Sequence, residues 1–204
     1  MYEQVVAINI GLAMLLAMSL NIITGFAGQP TLGHAAFYGI GAYTSALLTA
    51  KAGWPFLLAL PMAGLVAALV GVLLGLFSVR VREDFLAVTT IGINFVVVAI
   101  FQYVELFGAS LGLAVPKPEI FGLRFGNTEI LILLVSLNIL VYLFMRHLPK
   151  SWLGLALGGV RNEEEAAASL GVNPDHYKVF AFGIGTFIAG MTGSVYAHFM
   201  GFIS

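Results

Sequence analysis

Three consecutive carboxylates, Glu163, Glu164 and Glu165, stand in the stretch RNEEEAAASLG (161–171) of a chain with only ten acidic residues. Asn162 is suited to cap a helix, and Glu165, three residues on, to reach back and close a capping box. Glu163 and Glu164 fill the first turn, where the helix end favours negative charge. Ala166, Ala167 and Ala168 add strong helix propensity. Gly171 is a terminator, and Asn173-Pro174 blocks smooth continuation. The expectation is a short, self-capped helix over about 162–171, inside a polar segment spanning 146–176. Such a helix is either a solvated linker or a docking element that enters a partner and transmits force.

Other chemistries lack their residues. Without cysteine there are no disulfides, no thiolate catalysis and no Cys-type metal sites. His34, His147, His176 and His198 are too scattered to argue a metal site. No Gly-x-x-x-x-Gly-Lys-Ser/Thr loop is present, so this chain is not expected to hydrolyse ATP or to be an enzyme. A net charge of −1 with no basic run gives nucleic acid nothing to hold.

The elements that must carry this polar segment are apolar. Hydrophobic residues make up 60% of the 204 positions and charged ones 9%, against about a quarter in a soluble domain. An all-α integral membrane protein, a polytopic bundle of about six apolar segments, is the economical reading. The start, MYEQ, lacks the positive n-region of a secretory signal, so the first span is expected to be retained. The segments are 5–25, 32–50, 56–79, 85–107, 128–145 and 177–200. Residues 25–33, GFAGQPTLG, break the first from the second through Pro30 and glycines. The second is rich in small and polar residues and is expected to face protein rather than lipid. Gly71 and Gly75 have the spacing that lets another helix approach, although a Gly-rich chain also produces it by chance. Arg80, Arg82, Glu83 and Asp84 form a charged connector, and 108–127 a longer loop with Pro116, Pro118 and Gly122.

Basic residues set the orientation. If every segment crosses once, Arg80, Arg82, Arg146, Lys150, Arg161 and Lys178 share one side, and Lys51, Lys117 and Arg124 the other. The richer side is expected in the cytoplasm, with the N-terminus outside. A re-entrant second segment would flip the N-terminus alone. Asn21, His34 and Tyr43 are expected to face the bundle, because lipid exposure is costly for polar groups. With Gly25, Gly28, Gly33, Gly39 and Gly41 they could border a path, or simply pack, and for His34 a structural hydrogen bond is the plainer role.

Glu165-Ala166-Ala167, three residues, then Gly171 resembles the EAA loop of ABC-importer permeases, although an Ile-x-Leu-Pro ending is lacking. LNIITGFAGQ (20–29) with LGHAAFYGIGAY (32–43), GLALGGVRNEEEAAASLGVN (154–173), Ala181-Phe182 and AGMTG (189–193) is similar to the branched-chain amino acid permease family. The likeness runs through essentially the whole chain and favours the LivM-type subunit over its LivH-type partner. Family members usually continue through further spans, so the chain is expected to be a single permease domain (1–204) incomplete at its C-terminus. The resemblance implies a permease subunit of an ATP-driven importer for leucine, isoleucine and valine, or related hydrophobic amino acids, in a bacterial or archaeal cell membrane. It implies cytoplasmic ABC ATPase subunits that hold the ATP and magnesium, a second homologous permease subunit and an external binding protein. Arg161, Asn162, Glu163, Glu164, Glu165, Ala166, Ala167 and Gly171 would form the coupling helix. An ion-coupled secondary transporter and a non-transporting scaffold are the alternatives. No charged residue stands securely at mid-membrane to serve the first, and a short chain would suit the second.

Overall fold

The computed structural model describes residues 2–79, 83–108, 111–120 and 123–204. Long uncharged runs become helices because inside a bilayer every backbone N–H and C=O must be satisfied within its own segment. The helices are α1 (Tyr2–Asn21), continued by a π-helical turn at Ile22–Phe26, α2 (His34–Ala50), α3 (Phe56–Ser78), α4 (Glu83–Tyr103), α5 (Asn127–His147), α6 (Trp152–Asn162), α7 (Glu164–Ser169) and α8 (Pro174–Met200). Among the described residues five helical stretches are long and apolar enough to cross a membrane: 2–26, 56–78, 85–103, 127–150 and 174–200. The sixth expected segment is α2. Its 17 residues rise about 25 Å, a little short of the roughly 30 Å hydrocarbon core.

α2 nevertheless runs between the poles. It lies parallel to α8, with Gly41 beside Gly190 and Ser45 beside His198, so both helices advance in the same direction. The chain therefore alternates between two ends. One holds the break at 27–33, the 148–173 segment and the basic residues Arg146, Lys150, Arg161 and Lys178. The other holds the 51–55 turn, the 104–126 loop, Lys51, Lys117 and Arg124. Arg80, Arg82 and Gly122 lie outside the described residues.

α8 is the central helix, buried along most of its length from Ala181 to His198. Its neighbours approach through glycine. A Cβ on Gly64 would lie 2.8 Å from Phe187, one on Gly71 would meet the Thr186 hydroxyl, and one on Gly75 would lie 3.0 Å from the Val179 Cα. The Gly71/Gly75 spacing thus marks the real α3–α8 seam. α1 packs on α5, where Asn138 Nδ2 donates to the Gly11 carbonyl at 3.1 Å, an interhelical bond of the kind that holds membrane helices together. α4 stands at the periphery, with Phe85, Val88, Phe95 and Tyr103 all more than 60% exposed to the surroundings of the chain.

The described parts of the loop between α4 and α5 are stapled rather than loose. Strand β1 (Leu113–Ala114) pairs antiparallel with β4 (Phe202–Ile203), which follows α8 directly, and β2 (Glu119–Ile120) pairs with β3 (Leu123–Arg124). Leu113, Val115 and Ile203 are buried against Tyr43 and Ala46 of α2, so the loop caps that end of the bundle.

Candidate functional site

The polar segment is built in three steps. A 3-10 turn at Leu148–Lys150 follows α5, and Ser151 then caps α6, its hydroxyl accepting from the Gly154 N–H at 3.2 Å. α6 buries Gly154, Ala156, Leu157 and Val160 and leaves Trp152 and Leu155 exposed. A short helix with an apolar face on the bundle and an outward Trp at the end of a span suits the membrane interface. Trp152 Nε1 donates to the Tyr177 hydroxyl at 3.1 Å, which pins α6 to the foot of α8.

Burial of that face overrides the expected cap. Helix α6 continues through Asn162, because the Glu163 N–H still donates to the Gly159 carbonyl at 3.0 Å. Asn162 is the last residue of one helix rather than the cap of the next, and no capping box forms with Glu165. Glu163 is extended, with φ −154° and ψ 97°, and α7 covers 164–169 rather than 162–171. Gly171 does terminate it, at φ +85°. The Gly171 N–H donates to Ala168 O at 2.9 Å and the Val172 N–H to Ala167 O at 3.1 Å, the paired bonds of a Schellman ending. Asn173 then caps α8 through the Asp175 and His176 N–H groups, with Pro174 at its first position.

The three glutamates separate. Glu164 pairs with Lys178 at 2.6 Å, and Lys178 is buried at the base of α8. Glu163 and Glu165 face outward, as do Asn162 and Ala166, while Ala167 turns in toward Gly159 of α6. Leu170, on the turn between α7 and Gly171, is 85% exposed. An apolar side chain displayed this openly at a polar end is the feature of the segment that a groove would best accept.

Arg161 does not project with them toward a partner. Its guanidinium Nη1 donates to the carbonyl of Gly25 in the π-helical turn of α1. Gly28, at φ +70°, lets the chain turn against the Arg161 stem, where a Cβ would lie 3.0 Å from Cγ. Two residues expected beside a path, Gly25 and Gly28, thereby meet one expected in the coupling segment.

The rest of the break is tied to its neighbours. The Gln29 N–H donates to Ile23 O at 3.1 Å, and the Leu32 N–H to the Thr90 hydroxyl of α4 at 3.0 Å. Gly33 lies directly against the Thr90 carbonyl. His34 Nε2 is 2.7 Å from Ser19 Oγ. Because the Ser19 hydroxyl donates to Leu16 O at 2.8 Å, the imidazole is the donor in that pair. Gly39 and Tyr43 pack on Phe101, and Gly41 packs on the Gly190 backbone. Asn21, expected to face the bundle, is exposed instead, since the helix turns Ile22 and Ile23 to the core beside it.

At the opposite end lies a cavity of about 510 Å³ bordered by Trp54, Phe56, Pro116, Lys117 and His198. Its floor is a hydrogen-bonded thread. The Pro116 carbonyl can only accept, so His198 Nδ1–H donates to it at 2.9 Å. His198 Nε2 then accepts from Ser45 at 3.0 Å, and Ser45 accepts from Ser194 at 2.7 Å. Sequence reasoning missed this thread. The available signal was polar residues, Ser45, Ser194 and His198, in otherwise apolar helices. It also missed Lys178 as the partner of Glu164.

Fold and site together define a multi-pass membrane bundle with a short, well-terminated helix presented at its basic end. The family model described as the branched-chain amino acid transport system permease component matches residues 5–204, and the chain belongs to that family. It is 34% identical to the high-affinity branched-chain amino acid transport system permease protein LivM of Escherichia coli (strain K12), over 94% of this chain and 51% of that protein. The LivM protein of Salmonella typhimurium (strain LT2) matches to the same extent, 34% over 94% of the chain and 51% of the relative. A probable branched-chain amino acid transport permease protein LivM of Methanocaldococcus jannaschii is 25% identical over 92% of this chain and 64% of its own length. The chain thus spans about half the length of the two bacterial relatives. No solved structure matches it significantly.

Proposed function

We propose that the chain forms the transmembrane part of an ATP-driven importer for branched-chain amino acids, with residues 164–171 docking on a cytoplasmic ATPase. The observation that carries this is α7 itself: a six-residue helix, closed by Gly171, that offers Leu170 at 85% exposure and is fastened to the bundle behind it. The basic end faces the cytoplasm in this reading. An external binding protein delivers the amino acid to the other end, and a second homologous permease subunit completes the membrane assembly. ATP hydrolysis belongs to the partner. This chain supplies the surface that receives its movement and the helices that respond.

Leu170 is expected to dominate docking. Burying an exposed leucine is worth roughly 1.5–3 kcal/mol, whereas exposed ion pairs at Glu163 and Glu165 would each add ~0.2–1 kcal/mol. The test is co-expression with the ABC ATPase encoded nearest to it and purification from detergent through a tag on this chain. The native chain should bring the ATPase down. Leu170→Asp should lose it at equal membrane levels, and Glu163→Arg with Glu165→Arg should weaken it less. Failure of the native chain to retain any ATPase would refute the docking role.

A further inference from the structure

We propose that Arg161 is a positioning residue: it ties the coupling segment to the π-helical end of α1, so that displacement of α7 is delivered to the chain break at 27–33. This inference rests on the docking role proposed for α7.

Among the described residues, Glu164 and Arg161 cross-link 161–171 to the bundle, and the two links end in different surroundings. Glu164 reaches Lys178 at the base of α8, the most enclosed helix of the bundle. Packed interiors do not deform continuously, so this link fixes the pivot about which α7 turns. Arg161 reaches the Gly25 carbonyl, which belongs to the π-helical turn at 22–26. π-Helical turns are rare and concentrate where backbone hydrogen bonding is re-routed. Directly after it the chain leaves helical geometry for seven residues before α2 starts at His34.

Polar groups are enclosed in and beside that break. Thr31 Oγ1 and His34 Nδ1 are both buried and have no hydrogen-bond partner. The break is also in contact with α4, through Leu32 and Gly33 on Thr90. α4 stands at the periphery of this chain's helices. A continuous set of contacts therefore runs from α7 through Arg161 to Gly25, the break, Thr90 and α4.

The side-chain type fits the role. A guanidinium keeps its charge and holds a fixed donor fork, so it grips a carbonyl in one direction while its stem packs on Gly28. Arg161→Met keeps much of that stem and removes the donor. Arg161→Lys keeps a charge and a donor without the fork.

Absence of cysteine makes site-directed spin labels unambiguous. Ser169→Cys on α7 and Leu32→Cys in the break, both exposed, give one distance by pulsed electron resonance in the detergent-solubilised chain. The native distance distribution should be narrow, Arg161→Met should broaden it, and Arg161→Lys should restore it in part. In the complex with its ATPase, reconstituted in liposomes, Arg161→Met should retain assembly and ATP hydrolysis. Amino-acid uptake per ATP should fall about five- to hundredfold, the range of typical coupling energies. An unchanged distance distribution would overturn the tie, whatever the transport result. A broadened distribution with unaltered uptake per ATP would overturn its role in transmission. Loss of assembly in Arg161→Met would make it a docking or folding residue instead. A native chain that binds no ATPase would refute the docking role while leaving the distance measurement to judge the tie.

Discussion

Replacing Gly41 by alanine tests whether the α2–α8 seam is set by backbone contact. A methyl built on Gly41 would run into Gly190 of α8, with the Gly190 carbonyl carbon 2.5 Å away. Ordinary carbon–carbon contacts lie at about 3.5–4.0 Å, so the two backbones would have to part by roughly 1 Å. Backbone cannot rotate out of the way as a side chain can. Parting also strains the Gly193 contact with Tyr38 and Ala42 and the Ser45–His198 bond one turn further on. Overpacking of this kind costs about 1–3 kcal/mol. Alanine also removes glycine's unfavourable helix propensity, a gain of up to about 1 kcal/mol. Gly92→Ala on α4 isolates that gain, because nothing lies within 4 Å of the position. Unfolding midpoints in mixed detergent should therefore place Gly41→Ala about 1–3 kcal/mol below Gly92→Ala. Equal midpoints for the two variants would show that the helices give way freely and that the glycine seam does not set their spacing.

Two further substitutions probe the ends of the bundle. His198→Leu leaves the Ser45 hydroxyl proton and the Pro116 carbonyl without their acceptor and donor; stranding the buried Ser45 group costs about 1–3 kcal/mol, while the carbonyl of exposed Pro116 can turn to water. The thermal midpoint in detergent should fall, and protease should cut the 111–120 loop sooner; an unchanged midpoint would mean the thread contributes nothing. Gly171→Ala meets no neighbour within 4 Å, so its only penalty is the left-handed backbone, about 1–2 kcal/mol. Hydrogen exchange at positions 171 and 172 should quicken, and the global midpoint should fall by no more than that penalty; unaltered exchange would refute the terminator role.

The class of fold was legible in the residues alone. A chain with so few charges cannot cover a soluble core, and uncharged runs of about twenty residues have one conformation open to them in a bilayer. The break after Gly25 and the end of α7 at Gly171 were legible too, because glycine and proline act through local backbone sterics that no distant contact revises; the start of α8 at Pro174 was not, since Asn173-Pro174 read only as a stop and the last span was expected from 177. Asn162 was not. Its capping pattern is local, but the amphipathic face of α6 gains more by packing on the bundle than a side-chain cap returns, so tertiary burial decided where one helix stopped and the next began. The partners of equal-looking residues were likewise beyond the sequence. Glu163, Glu164 and Glu165 are identical in type, and only the placement of Lys178 gives the middle one an ion-pair partner. Arg161 sits 136 positions from Gly25, and Ser45 sits 153 from His198. Such pairs exist because helices remote in the chain pack side by side, which composition, period and motif do not encode.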